Sequence, residues 1–208
     1  MAIGGWRTAG GLPAKQAPWF AVELTRVTAP WAFARGEPFR TIASLELLGV
    51  LVGVMVLLPE ADWARPADTT GLVSFGCGTD NQGNMFLLDR LMTTKYPLGC
   101  VLMELSHQLH QRRAVLRADW IPRLQNEEAD ALTNMDFRHF CPDKRISVSL
   151  ADLRFGVLND LLSTGQEYYE EVEGMREAER TARRARGDRP AGRKRKKAGT
   201  ALRDREPW

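Results

Sequence analysis

The sequence predicts an α/β fold, because strand-like segments with alternating apolar residues are interspersed with longer apolar segments of helical length. The clearest strand is 19–25, WFAVELT, where apolar side chains alternate between two faces. The clearest helix is 39–58, a largely apolar segment that ends before Pro59. A third observation is the short apolar strand 71–77, which leads into Asp80. A carboxylate in that position is typical of the sheet edge at which open α/β folds place their chemistry.

The remaining segments alternate in the same way along the chain. The pattern predicts a strand over 2–8 that forms a hairpin with 19–25, helices over 84–94 and 98–113, a strand over 114–121, a helix over 126–134 and a helix from 149 to about 186. Residues 187–208 contain few apolar side chains, and we expect them to be disordered. We therefore expect a folded domain over 1–134, a helical extension over 135–186 and a disordered basic tail over 187–208.

Charge is unevenly distributed along the 208 residues. The formal net charge is +3, but residues 174–208 contribute +8 and residues 1–173 contribute −5. An acidic body with a basic tail argues against a protein whose whole surface coats nucleic acid. The run RKRKK at 193–197 is typical of a nuclear-localisation or nucleic-acid-binding patch, and it is equally compatible with a solubilising tail.

Cysteine usage and hydropathy bear on the compartment. The three cysteines are widely spaced, which argues against a disulfide scaffold or a zinc ribbon and favours a reducing compartment. The uncharged run 47–58 is 12 residues long, short of the roughly 20 that a membrane span requires. We expect a cytoplasmic or nuclear protein that does not enter the membrane. A small membrane protein anchored through 42–58 is the alternative, since Gly49 and Gly53 have the spacing of membrane helix contacts.

Three isolated carboxylates stand out. Glu46 lies inside the apolar helix, where an ionised carboxylate is costly unless it is paired or bound to a metal. Asp80 follows a strand, and Asp130 lies near the start of a helix. Each also has an ordinary interpretation. Glu46 could lie on a solvated stripe and pair with an arginine, Asp80 could cap a helix together with Asn81, and Asp130 could be a common helix-start residue.

Three short motifs resemble one family. The run ADWIPRLQNEEADALTN at 118–134 resembles the closing motif of RNase H-like domains in retroelements, where a strand ending in W-I/V-P leads to N-x-x-A-D-x-L. The run TDNQ at 79–82 is similar to the family's D-N strand end, and LELL at 45–48 resembles its helix with a catalytic glutamate. The order of the motifs most resembles the RNase H domain that follows the reverse transcriptase of tyrosine-recombinase retrotransposons.

The resemblance implies a mixed sheet flanked by helices over 1–134, with the C-terminal helical extension and basic tail outside it. It implies hydrolysis of the RNA strand of an RNA–DNA hybrid by an endonuclease that binds two Mg²⁺ or Mn²⁺ ions. It assigns Glu46, Asp80 and Asp130 as catalytic residues and metal ligands. It also implies that the domain belongs to a longer retroelement polyprotein.

One departure from the family pattern lowers the expected activity. The family's first catalytic aspartate lies on the first strand, ahead of a glycine-rich turn. Here the glycine-rich piece IGGW at 3–6 has no aspartate ahead of it. We therefore expect a domain that lacks its first strand, binds one cation weakly and has low or no nuclease activity. The alternative is a non-catalytic retroelement remnant that binds nucleic acid through its basic tail.

Overall fold

The computed structural model describes residues 1–8, 13–33, 41–60, 72–93 and 95–185. The chain divides into two compact units, Met1–Tyr168 and Tyr169–Trp208. The predicted disordered tail, 187–208, lies outside the described residues.

The first unit begins with the predicted hairpin. Strand β1 (Ala2–Trp6) pairs antiparallel with strand β2 (Trp19–Glu23). Both faces of β2 are buried, because Phe20 belongs to the main core whereas Trp19 packs in a second cluster with Leu132 and Phe140. The side chains of 19–22 are therefore buried on both faces of the strand, and only Glu23 at its end is exposed.

Helix α1 (Ile42–Leu57) lies against β1 and forms the centre of the main core. Its sides are almost uniformly apolar, as expected for a helix surrounded by other elements. The close backbone approach that the glycines of β1 suggest occurs at Gly4, where an added Cβ would lie 2.8 Å from Leu132 Cβ and 3.1 Å from Phe20 O. Only glycine fits that position without displacing its neighbours.

The second sheet consists of two parallel strands, β3 (Val73–Thr79) and β4 (Ala114–Trp120). They are connected by helices α2 (Gln82–Arg90) and α3 (Leu98–Gln111), and α3 packs against both α1 and β4. Helix α4 (Glu127–Thr133) follows β4 and packs on β1. The first unit is therefore a mixed α/β structure, as the sequence predicts.

The sheets differ from the expected arrangement. Among the described residues the four strands form two separate two-stranded sheets, β1–β2 and β3–β4, rather than one mixed sheet. Residues of β1 and of β3 line the same cavity, and no described strand pairs with both of them. Local alternation predicts strands well, but it contains no information about which strands become neighbours.

The last helix begins later than the pattern suggests. Residues 149–157 form turns, and helix α5 spans Leu158–Ala185. The reason is a tertiary contact: the carboxylate of Glu104 on α3 accepts hydrogen bonds from the backbone N–H groups of residues 156–158, at 2.9, 2.7 and 2.8 Å. A buried side chain from another helix thus supplies the cap that free N–H groups at a helix start require.

Two further polar residues continue this contact along α3. Gln108 donates to Glu104 Oε1 at 2.7 Å, and Arg112 Nη1 donates to Gln108 Oε1 at 2.6 Å. Arg112 also donates to the carbonyl oxygens of Met55 and Leu58 at the end of α1. We call Glu104, Gln108 and Arg112 the α3 polar row; it joins the end of α1 to the start of α5 inside the core.

The described part of the second unit, residues 169–185, is helical and mostly exposed. Its composition alternates acidic and basic side chains. Across the described ranges of both units, no helix combines the length and the apolar character needed to cross a membrane.

Candidate active site

A cavity of about 1040 Å³ lies between the two sheets of the first unit. Its walls are the residues of β1 on one side and those of β3 on the other. One face of α1 forms an apolar floor, and the segment from Ile121 to Thr133, including much of α4, lines the remaining side. We call this space the intersheet cavity.

The three carboxylates predicted as site residues all line this cavity. Glu46 comes from the second turn of α1, Asp80 directly follows β3, and Asp130 lies on α4. Each is half-buried. Three elements that are distant in sequence therefore place their acidic side chains around one space.

Two asparagines hold the Glu46 carboxylate in place. Asn81 Nδ2 donates to Glu46 Oε2 at 2.5 Å, and Asn84 Nδ2 donates to the same oxygen at 3.2 Å. Asn84 is buried and also donates to the carbonyl oxygen of Ala43, one turn earlier on α1. These bonds connect the start of α2 to the start of α1 and fix the orientation of the carboxylate.

Of the two residues that could cap the helix after β3, Asp80 and Asn81, only Asn81 does so. The cap of α2 is Asn81, whose Oδ1 accepts a hydrogen bond from the Asn84 backbone N–H at 3.1 Å. Asp80 precedes the cap, and its carbonyl oxygen accepts a hydrogen bond from Trp120 Nε1 at 3.2 Å. Trp120 thus holds the Asp80 backbone, and the Asp80 side chain does not serve as the cap.

Asp130 is accompanied by a basic side chain. Arg123 Nε lies 3.9 Å from Asp130 Oδ2, and Arg123 is largely exposed. Such a pair contributes little to stability in water. Its effect is electrostatic, because the guanidinium introduces one positive charge beside the three carboxylates.

The pKa of the Glu46 carboxyl is raised by its surroundings. Burial raises its pKa, the hydrogen bond from Asn81 lowers it, the charge of Asp80 raises it and that of Arg123 lowers it; the net pKa lies above the ordinary value of 4.5. A carboxylate with a raised pKa beside a second carboxylate in a cavity is typical of functional sites. A cation at this position would relieve both the repulsion and the burial cost.

The carboxylates converge loosely. Within the described ranges, no three histidine, cysteine, aspartate or glutamate side chains lie close enough together to hold one metal ion. The donors nevertheless fit Mg²⁺ in chemical type, since hard carboxylate oxygens with room for water are the ligands that this ion prefers. Glu46, Asp80 and Asp130 supply oxygens of this type, but in the described part of the chain they are not grouped closely enough to share one ion.

Sequence reasoning missed three supporting residues of the site. Asn84 and Arg123 lie inside or beside the quoted motifs, but their contacts depend on how α1 meets α2 and how α4 follows β4. The sequence indicates Asn81 only as a helix cap, whereas in the structure Asn81 also orients Glu46. The available signal is the polar segment NQGN at 81–84, directly after Asp80.

Comparison of the chain with protein-family models, with curated proteins and with solved structures gave no match.

Proposed function

We propose that the chain is an RNase H-like domain of a retroelement reverse transcriptase, with an acidic cation site that acts on RNA–DNA hybrids. The observation that supports this most is that Glu46, Asp80 and Asp130 all line the intersheet cavity, although within the described ranges they do not form a three-ligand group. Their order and their elements, a helix interior, a strand end and a helix start, are those of the motifs that the sequence resembles. The proposal includes the finer fold, a mixed sheet of the RNase H type.

The chain's own residues have separate roles in this proposal. A bound divalent ion would supply Lewis-acid activation of water and stabilisation of the leaving oxygen in phosphodiester hydrolysis. Glu46, Asp80 and Asp130 would hold it, while Asn81 and Asn84 orient Glu46. Arg123, exposed beside Asp130, is placed to contact a substrate phosphate. Hybrid recognition would depend on helix shape and 2′-hydroxyl groups rather than base sequence.

The proposal also predicts weak activity. The three carboxylates that line the cavity are not grouped closely enough, within the described residues, to hold one ion tightly. With three carboxylates we expect one weakly bound cation and slow cleavage. We propose that the complete activity belongs to a longer polyprotein.

The test is a comparison of duplexes and variants. Fluorescent RNA–DNA hybrid, double-stranded RNA and double-stranded DNA of identical sequence are incubated with the full chain and Mn²⁺, and both binding and RNA cleavage are measured. We expect Mn²⁺ to strengthen hybrid binding preferentially and to allow slow cleavage of its RNA strand.

Two variants provide the control for this test. Asp80→Asn should abolish the Mn²⁺ effect, whereas Asp89→Asn, which alters an exposed carboxylate on α2, should leave it unchanged. Equal binding of all three duplexes with and without Mn²⁺, or an unaltered Asp80→Asn variant, would contradict the proposal.

A second candidate function rests on the charge distribution. Residues 174–208 contribute +8 whereas residues 1–173 contribute −5, so nucleic-acid binding would reside in the tail. Deletion of 187–208 should then abolish binding, and the binding of the intact chain should weaken steeply with salt. Retention of hybrid binding after this deletion would eliminate the tail-based alternative.

A further inference from the structure

The distal part of helix α5 leaves large apolar side chains in solvent. Tyr168 is 67% exposed and Met175 is 57% exposed. Seven residues are close to two turns of an α-helix, so these two side chains lie on one face of α5. Val172 lies between them on that face and is half-buried, and Ala182 follows Met175 by another seven residues. We call Tyr168, Val172, Met175 and Ala182 the α5 stripe.

The spacing of the α5 stripe is that of a coiled-coil seam. In a coiled coil, apolar residues recur at alternating intervals of three and four, at the positions named a and d of each seven-residue repeat. Tyr168, Met175 and Ala182 have the spacing of d positions, and Val172 and Glu179 have that of a positions. The exposed Glu179 is the one polar residue among them. A polar residue at a single seam position costs stability and restricts the alignments that two helices can adopt.

The two flanks of the α5 stripe have opposite charge. Glu171 directly precedes a seam residue, which is position g of the repeat, whereas Arg176 and Arg183 directly follow seam residues, which is position e. All three charged side chains are exposed. Positions g and e lie on opposite sides of a seam, and charges there determine the partner and its direction. One helix therefore presents an acidic side chain on one flank and basic side chains on the other.

This charge pattern is complementary to a parallel copy of itself. In a parallel pair, the g flank of each helix faces the e flank of the other, so Glu171 of one copy lies opposite Arg176 of the second copy. The two-fold symmetry of such a pair forms this contact twice. In an antiparallel pair the two e flanks face each other, which would bring Arg176 and Arg183 of the two copies together. The charges therefore favour two identical helices that run in the same direction.

We propose that the α5 stripe is a self-association surface, at which two copies of this chain form a parallel two-stranded coiled coil over residues 168–185. Val172 and Met175 fill its centre, and the contacts between Glu171 and Arg176 fix its direction. A helix over 168–185 is about 27 Å long, which is little more than the length at which an isolated helix becomes stable. With Glu179 in the seam, we expect a reversible dimer with a Kd on the order of 10–100 µM. Self-association through α5 does not depend on the proposed nuclease activity.

Other partners match the α5 stripe less well. Nucleic acid would attract Arg176 and Arg183, but its phosphates would repel Glu171 and Glu179 and would leave the exposed Met175 uncovered. An anionic membrane surface would accept the apolar side chains and would meet the same repulsion. A helix of another protein would have to reproduce the spacing and both charged flanks, which a second copy does by symmetry.

The test is sedimentation equilibrium of the full chain, free of nucleic acid and in EDTA, over about 5–500 µM. We expect a monomer–dimer equilibrium. Glu171→Arg and Arg176→Glu should each weaken the dimer at least about fivefold, because each places like charges opposite one another at two symmetric contacts. The double variant exchanges the two flanks and should restore the Kd to within about twofold. Glu177→Arg, which makes the same change of net charge on the face of α5 opposite the stripe, is the control and should leave the Kd unchanged.

Two variants of the seam sharpen the test. Met175→Asp alters an exposed side chain, so it should keep the helical content measured by circular dichroism while abolishing the dimer. Glu179→Leu completes the seam and should tighten the dimer at least about tenfold.

Four results would overturn the proposal. They are a monomer over the whole concentration range, a Met175→Asp variant that still dimerises, an unchanged Kd in Glu179→Leu, and a double charge reversal that does not restore association. Tighter association of Arg176→Glu alone would indicate antiparallel helices and would also overturn it.

Discussion

Glu104 and Glu46 are both helical glutamates of the same compact unit, but their environments are opposite. Glu104 is fully buried and accepts hydrogen bonds from three backbone N–H groups and from Gln108. Burial alone would raise its pKa, but the hydrogen bonds from Gly156, Gln108, Val157 and Leu158 outweigh burial, and the net pKa is lowered. Glu46 is half-buried, beside Asp80, and its net pKa is raised.

The difference separates a structural carboxylate from a candidate functional one. The hydrogen bonds to Glu104 favour its ionised form, so its charge stabilises the fold. The environment of Glu46 disfavours its charge, and a fold keeps such a group at a cost unless a ligand compensates it. From burial alone, one would expect the fully buried Glu104 to have the more strongly raised pKa and to be the better functional candidate.

The largest expected effect is the loss of Glu104. Glu104→Ala leaves the N–H groups of residues 156–158 without their acceptor, and we expect the free energy of unfolding to fall by about 3–4 kcal/mol. The melting temperature should fall by about 10 °C. Met103→Ala, an exposed change on the same helix, is the matched control and should alter stability by less than about 0.5 kcal/mol. Similar stabilities of the two variants would refute the role of Glu104 as a cap.

Acid titration should reveal the same contrast. Since the folded pKa of Glu104 lies below its ordinary value of 4.5, its stabilisation is fully present above that value and is lost as the pH falls through the folded pKa. Since the folded pKa of Glu46 is raised, its contribution has the opposite sign: it is favourable below 4.5 and declines as the pH rises through the folded pKa. The urea midpoint is measured as a function of pH between about pH 3 and pH 7. Replacing either residue by glutamine should change the slope of this pH dependence.

At neutral pH, Glu46→Gln should stabilise the protein. The variant retains an oxygen that accepts the Asn81 hydrogen bond and removes the charge beside Asp80. We expect the melting temperature to rise by about 1–3 °C, the usual direction when a functional charge is neutralised. Glu104→Gln should lower it, because its amide would meet N–H donors. If Glu46→Gln lowered the melting temperature as Glu104→Gln does, both glutamates would be structural.

The smallest expected effect concerns Arg123. Removal of its positive charge in Arg123→Ala should tighten Mn²⁺ binding by at most about fivefold, because the side chain is exposed and screened. Arg90→Ala, on the last turn of α2, is the control. Weaker Mn²⁺ binding by Arg123→Ala would show that Arg123 positions Asp130 rather than opposing the cation.

Much of this fold follows from local sequence patterns. The hairpin, the apolar helix α1 and the strand–helix order agree with the periodicity, and the three carboxylates that the motifs indicate line one cavity. What the sequence could not reveal depends on contacts between distant segments. Glu104 resembles any helical glutamate until the turn at 156–158 places its N–H groups against it. The separation of the sheets likewise depends on strand neighbours, which alternation does not specify.

The most direct test of the acidic site is a Mn²⁺ titration of the full chain, followed by water-proton relaxation, with Glu46→Gln, Asp80→Asn and the control Asp89→Asn. We predict saturable binding by the wild type and by Asp89→Asn. The Kd should rise at least about tenfold in the other two variants, because even residues around metal ligands alter affinity by about 10–100-fold. Equal Mn²⁺ affinity in all four proteins, or no saturable binding by the wild type, would contradict the assignment of Glu46, Asp80 and Asp130 as a cation site.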